Sequence, residues 1–233
     1  MIEFAVIETQ WGPFGFVAAD DRLLATVTPS TERKVRKRIA EAWPEATERA
    51  NLLPRFRKAV VAFYSGTPIE FDVDVDLSRF SEFQQAVLHA CRRIPYGKTA
   101  SYADLARAAG RPGAARAAGS TMARNPMPIV IPCHRVVRAD GHIGEYGAGG
   151  PEAKRAVLHA EGIDTAGLER LAGRGVRFTG SDTTGIYCFP SCRHARRTMP
   201  RHEVGFHSAE EALAAGFRPC RVCRPLESAP FAA

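Results

Sequence analysis

Four cysteines near the end of the chain constrain its fold more than any other feature. They stand as Cys188-x3-Cys192 and Cys220-x2-Cys223, with residues 193–219 between the pairs. The unit around them, residues 181–227, holds few large apolar side chains. A stretch that short cannot bury enough surface to fold alone and needs a staple. Where thiols stay reduced, close pairs of this spacing point to a metal rather than to disulfides. Four thiolates suit tetrahedral zinc. His194, His202 and His207 could stand in for one cysteine, but with four thiols no substitute is needed.

The whole chain has 233 residues, room for two compact units beside this small one. Its composition, 45% hydrophobic and 24% charged, is that of a globular protein in water. No apolar run has the length of a membrane span. Met1-Ile2-Glu3-Phe4 lacks the basic start of a signal peptide, so the expected place is the cytoplasm and no membrane partner is expected. The net charge of +7 is uneven. Residues 1–76 carry 10 Lys/Arg against 12 Asp/Glu, whereas residues 77–162 carry 12 against 6 and residues 174–233 carry 9 against 5. Basic regions attract phosphate backbones, although a basic face can also simply be solvated.

Residues 1–76 read as mixed strand and helix. Phe4–Ile7 and Leu23–Val27 are expected strands, with turn signals at Trp11-Gly12-Pro13 and Asp20-Asp21. Helices are expected over Lys34–Trp43 and Leu53–Tyr64. Glu70–Leu77 alternates acidic and apolar residues, as a half-exposed strand would.

Residues 77–162 read as helical. Phe83, Val87 and Cys91 recur at helical spacing behind a cap at Ser81, which makes Cys91 a small core residue. Ser101-Tyr102-Ala103-Asp104 opens another helix with a capping-box pattern, ending near Gly110. After Arg111-Pro112-Gly113, residues Ala114–Arg124 form a second. The pair fits a helix-turn-helix or an ordinary helical hairpin. Small residues fill Ala114–Ser120 of the second helix, so a neighbouring backbone or the floor of a DNA groove could approach it, with Arg116 the one long side chain in that stretch. Pro151 opens a last helix and Gly162 closes it. Residues 163–180, with four glycines, read as a linker.

Cys133 follows the apolar run Ile129-Val130-Ile131 and precedes His134. A thiolate is the nucleophile, and histidine is the usual base near neutral pH. Alone, such a dipeptide is more often structural than catalytic. Glu161 lies in the last helical turn, where the helix dipole disfavours a carboxylate. Either water or a partner such as His134 holds it there.

Ile131-Pro132-Cys133-His134-Arg135-Val136 resembles the active-site signature of the O6-alkylguanine-DNA alkyltransferases. Ile94–Tyr102, Ala115-Arg116-Ala117, Asn125-Pro126, Tyr146, Gly149-Gly150, Lys154 and Glu161 follow that family's order and spacing, so the resemblance spans residues 1–162. It implies that Cys133 accepts the alkyl group, that His134 deprotonates it through a water, and that Glu161 orients His134. It implies that Asn125 braces the turn between recognition helix and active-site segment. Arg116 would fill the gap left by a flipped base, with Ala115 beside it on the recognition helix. Tyr102 would push the target phosphate and line the pocket. Backbone groups of Cys133, Val136 and the Tyr146 loop would hold the guanine, with Arg135 beside them on the DNA side. The loop Tyr146–Gly150 is one residue longer than is usual there. The implied activity is irreversible and single-turnover, on O6-alkylguanine in double-stranded DNA, by a monomer with no organic cofactor. A non-enzymatic lesion-binding or regulatory DNA-binding protein is the alternative, as is a cysteine hydrolase.

Thr184–Arg193 with Glu211–Cys223 resembles the Ada-type metal-binding domain. The resemblance implies that Cys188 is a second methyl acceptor, from phosphotriesters, although Phe189 stands where an arginine is common. A purely structural zinc unit that adds DNA affinity is the other reading. The expected fold class is therefore α+β. It comprises an N-terminal mixed α/β subdomain (1–76), a helical winged-helix-like DNA-binding and active-site domain (77–162), a linker (163–180) and a small zinc-stapled domain (181–227).

Overall fold

The structure, a computed structural model, describes residues 1–138, 142–190, 192, 194–222 and 225, with only the backbone of Arg196. It divides into two compact units, residues 1–85 with 124–131, and residues 86–123 with 132–233.

The first unit is built on a sheet. Strands β1 (Ile2–Ile7), β2 (Phe14–Ala19) and β3 (Arg22–Val27) run antiparallel, and helix α1 (Glu32–Ala42) leads to β4 (Thr47–Glu48), which pairs parallel with β1. Asp20 and Asp21, both at positive φ, make the turn between β2 and β3 that their sequence signalled. Helix α1 packs Val35 and Ile39 against Val17 and Val27. Gly15 permits this: a Cβ there would come within 2.5 Å of Val35. Helix α2 (Pro54–Tyr64) buries Phe56, Val60, Phe63 and Tyr64, and Phe16 meets Phe56 edge to face at 5.1 Å.

One strand of this unit has no signal in the sequence, and one expectation fails. Strand β2 has five consecutive buried residues, so it lacks the alternation that marks a half-exposed strand. Residues 70–77 do alternate, yet they form no strand; only Val75 bridges to Leu23. The first unit also includes Asn125–Ile131. Thr26 donates from its backbone N–H to Pro126 O at 2.9 Å and from its hydroxyl to Pro128 O at 3.0 Å.

Helix α3 (Glu82–Arg92) passes into the second unit at Ala86 and carries the wholly buried Cys91. Next come β5 (Ala100–Ser101), α4 (Tyr102–Ala108) and α5 (Ala115–Ala123). Ser101 and Asp104 form the expected capping box on α4. A three-residue 3-10 turn, Cys133–Arg135, runs into β6 (Val136–Val137), which pairs parallel with β5. Helix α6 (Gly150–Ala160) follows.

The expected linker 163–180 is largely ordered structure. Helix α7 (Thr165–Gly173) starts on Asp164, whose side chain accepts from Gly167 N at 2.8 Å. Its glycines misled because the cap, not glycine content, decides whether so short a helix forms. Strand β7 (Phe178–Ser181) then opens a sheet of order β10-β8-β7-β9, with β8 (Ile186–Cys188), β9 (Glu203–Phe206), helix α8 (Ala209–Ala214) and β10 (Arg218–Pro219). Phe178, Tyr187, Phe206 and Ala212 make its small apolar core. The fold is thus mixed α/β. No described helix is long and apolar enough to cross a membrane.

Candidate active site and metal centre

Cys133 opens the 3-10 turn and is 8% exposed, with His134 fully buried behind it. Adjacent residues usually diverge, but the tight turn, closed by Arg135 N donating to Pro132 O at 2.8 Å, brings His134 and Arg135 to the same carboxylate, Glu161. His134 Nε2 meets Glu161 Oε1 at 2.8 Å. Glu161 caps the C-terminus of α6, where the helix dipole opposes it. What holds it there is mainly Arg135. That guanidinium donates from Nε to Oε2 at 2.9 Å and from Nη2 to Oε1 at 2.8 Å. Gly97 N donates to Oε2 at 3.2 Å.

Arg135, expected among the DNA- and substrate-binding residues, instead turns inward. It is buried, gives Nη1 to Ile94 O at 2.6 Å, and lies over the Tyr96 ring at 5.6 Å. Its place in the signature beside histidine gave no hint of this, because the acceptors come from loops distant in sequence.

Burial would raise the Glu161 carboxyl, but the His134 hydrogen bond and the hydrogen bonds and charge of Arg135 outweigh it and hold its pKa down to about 2. Burial lowers the pKa of His134, and Arg135 and Lys154 add to this against the pull of Glu161. His134 is thus a neutral imidazole at neutral pH, able to take a proton, beside a carboxylate that would stabilise the resulting cation.

Lys154 on α6 is a site residue that the pattern of the sequence did not assign. It is fully buried, and its ammonium donates to Val136 O and Ile143 O at 2.6 Å each and to Glu145 O at 3.3 Å. Burial lowers its pKa to about 8, partly offset by the Cys133 and Cys91 sulfurs. The signal was available: Lys154 shares a helix face with the buried Val157 and Leu158. Its bonds tie Val136 to the loop that carries Tyr146, whose ring stands edge-on to His134 at 6.4 Å. Tyr102, first residue of α4, is partly buried, and burial raises its phenol pKa, so it remains a donor. Arg116 is exposed in the first turn of α5 and Ala115 is half-buried, while Ala118, Thr121 and Met122 face inward. In the first unit, Asn125 accepts from Met127 N at 3.0 Å and donates to Ile131 O at 2.7 Å, two residues before Cys133 in the chain.

Cys188, Cys192 and Cys220 are all buried, and their sulfurs lie within 4.8 Å of one another. Zinc–sulfur bonds of ~2.3 Å at tetrahedral angles separate sulfurs by about 3.8 Å, so a small contraction would seat the ion. Val222 N already donates to Cys220 Sγ at 3.4 Å. These three residues could hold a metal; Cys223 lies outside the described residues. His202 is engaged by Asp182 at 2.9 Å and His207 by Glu211 at 3.2 Å, and neither joins the cluster.

Residues 82–163 match the family described as 6-O-methylguanine DNA methyltransferase, DNA binding domain, and residues 172–226 match the metal binding domain of Ada. A methylated-DNA–protein-cysteine methyltransferase of Mycobacterium bovis is 49% identical over 100 residues, 43% of this chain and 59% of that protein. The match thus spans under two thirds of the length of such mycobacterial relatives. One from Methanosarcina acetivorans is 35% identical over 162 residues, 68% of this chain and 97% of that protein. The crystal structure of the Mycobacterium tuberculosis O6-methylguanine methyltransferase is similar, with a TM-score of 0.57 at 35% identity over 69% of this chain and 93% of that one. A second structure, of the M. tuberculosis protein in complex with DNA, has a TM-score of 0.58 at 33% identity over 68% and 92%. With the Methanosarcina relative matched over nearly its full length, the chain belongs to the methylated-DNA–protein-cysteine methyltransferases.

Proposed function

We propose that this protein repairs DNA by moving an alkyl group from guanine O6 to the sulfur of Cys133, once per molecule. The observation that carries this reading is the buried series of Cys133, neutral His134 and ionised Glu161, with 2.8 Å between the last two. A group on guanine O6 is out of reach inside a duplex, so the nucleotide must be flipped, at a cost of a few kcal/mol. The exposed face of α5, with Ala117 and Ser120 beside Arg116, suits close approach to a groove and a wedge in place of the extruded base.

With Nε2 taken by Glu161, proton exchange with the Cys133 thiol falls to His134 Nδ1, through a bridging water. The thiolate attacks the alkyl carbon, the S–C bond forms, the C–O6 bond breaks, and its electron pair stays on guanine. Guanine regains a proton at N1. The Tyr102 hydroxyl and backbone groups of Cys133, Val136 and the Tyr146 loop would hold it. Water does not cleave the thioether, so the protein is spent. It acts as a monomer and needs no organic cofactor. Asn125, Arg135 and Lys154 are positioning residues in this scheme.

The test is to incubate the protein with an O6-methylguanine duplex and locate methyl by peptide mass. One equivalent on Cys133 supports the reading. Binding without methyl transfer would instead identify a lesion-binding protein, and repeated turnover a hydrolase.

A second reading concerns the cysteine cluster. Cys188, Cys192, Cys220 and Cys223 would hold zinc, which keeps the thiols deprotonated. Cys188 borders a cavity of about 390 Å³ lined by Thr179, Ser181, Thr183, Thr184, Thr198 and Arg197, hydroxyls and a cation suited to a phosphate ester. The Cys188 thiolate would then attack the methyl carbon of a neutral phosphotriester, forming S–C as the C–O bond breaks and the phosphodiester anion leaves. Absence of methyl on the Cys188 peptide, after exposure to DNA carrying methyl phosphotriesters, would refute it.

A further inference from the structure

Pro95–Lys98 is a four-residue turn closed by Lys98 N donating to Pro95 O at 3.1 Å. Gly97, at φ +67, occupies the position of a type II turn that demands a left-handed backbone. Each side of this turn reaches a different centre. The Gly97 N–H donates to Glu161, the carboxylate that holds His134. One residue on, the Lys98 ammonium lies 3.9 Å from Cys192 Sγ. Tyr96 fixes the turn further, donating its hydroxyl to Ala160 O at 3.0 Å, with Arg135 over its ring. A cation against a thiolate cluster is stabilising when the cluster carries net negative charge, as zinc with four thiolates does. Lys98 belongs to neither matched set of metal ligands nor to the base network. It is the side chain that touches the first, and its backbone neighbour touches the second.

We propose that Lys98 is the outer-sphere cation of the cysteine metal centre, and that through the Pro95–Lys98 turn metal loading positions the base of Cys133. The metal-loaded cluster holds Lys98 by charge; Lys98 holds the turn; the turn presents Gly97 N–H to Glu161, which fixes the His134 ring. The coupling runs both ways, because an ordered turn also favours the loaded cluster. The metal unit thus acts on the reaction at Cys133 without touching the alkylated base. This rests on the proposed alkyl transfer for its second half only.

The first test needs no DNA. The full-length zinc protein is mixed with a chromophoric chelator, and release is timed for wild type, Lys98→Met and Lys98→Arg. Loss of an outer-shell partner typically weakens a metal site 10- to 100-fold, so Lys98→Met should release zinc about tenfold faster, and Lys98→Arg should stay within about twofold of wild type. Wild-type release kinetics in Lys98→Met would overturn the assignment whatever the protein does to DNA. The second test follows methyl on the Cys133 peptide, with and without zinc. Removing zinc should slow uptake several-fold in wild type and change nothing in Lys98→Met. Equal slowing in both, or slowing in neither, would overturn the coupling. The Gly97 amide resonance should shift on zinc removal in wild type alone, a readout that does not depend on activity.

Discussion

Cys133 and the Cys188–Cys192–Cys220 cluster are both buried, yet one is surrounded by charged side chains and the other by sulfur. Around Cys133, the chain supplies its own ions: His134, Arg135, Lys154 and Glu161 all lie inside the fold, each with partners. Those ions come from the polypeptide itself, even where the turn that orders them is tied to the metal cluster. The cluster has gathered its sulfurs, and among the described residues the cation placed against it is Lys98 at its edge. A buried site can therefore be made polar in two ways, by a satisfied network or by an ion taken from solution. The two should fail differently.

The largest expected effect separates them directly. Stripping metal should melt β7–β10 and α8 while leaving the first unit intact, because structural zinc supplies about 10–16 kcal/mol in small metal-dependent domains. Hydrogen exchange resolved along the chain would show it; protection retained over Phe178–Phe206 after chelation would break the contrast. Next comes Glu161→Ala, which leaves Arg135 buried without its counter-charge. It should cost about 3–5 kcal/mol by urea denaturation and abolish methyl uptake at Cys133.

Acid should act on the same network. The Glu161 carboxyl is held to about 2, below its ordinary 4.5, so its stabilisation is full above pH 4.5 and is lost as pH falls toward 2. His134, lowered by burial, works in the same sense: its neutral form is favoured in the fold, and stability drops once pH falls below the ordinary histidine value of 6.5. The stability of wild type should therefore fall between pH 6.5 and 3, and less steeply in Glu161→Gln. A pH-independent wild type would contradict the network. Asn125→Ala, losing two hydrogen bonds around the turn, should cost about 1–2 kcal/mol in the same assay. Arg116→Ala is the smallest in stability, within about 0.5 kcal/mol, because the side chain is exposed. It should still weaken binding to a duplex containing the lesion, and unchanged affinity would remove Arg116 from the interface.

The contrast also explains what the sequence disclosed. The cysteine pairs were legible because metal ligands must be specific residue types at short spacing. The α4 capping box was legible because Ser101 and Asp104 bond locally. The resemblance located Cys133, His134 and Glu161, but periodicity alone could not join them, since 27 residues separate His134 from Glu161. The true place of Arg135 depended on Ile94 and Glu161, 41 and 26 residues away, and no local pattern encodes that. Strand β2 and helix α7 escaped for opposite reasons, one too uniformly apolar and the other too rich in glycine.

Ile129 has φ +71, a left-handed backbone that a β-branched residue rarely adopts, yet its side chain is 1% exposed. For anyone seeking a hardier version of this protein, that position is a closed bargain. Glycine would relieve roughly 1–3 kcal/mol of strain but forfeit a buried isoleucine, a loss of about 2–5 kcal/mol. Asn or Asp would ease the strain as well, but at the cost of burying a polar group in place of isoleucine. The turn before Cys133 is thus a local optimum from which single substitutions lead only downhill, and improvement there requires redesigning the backbone and its packing together.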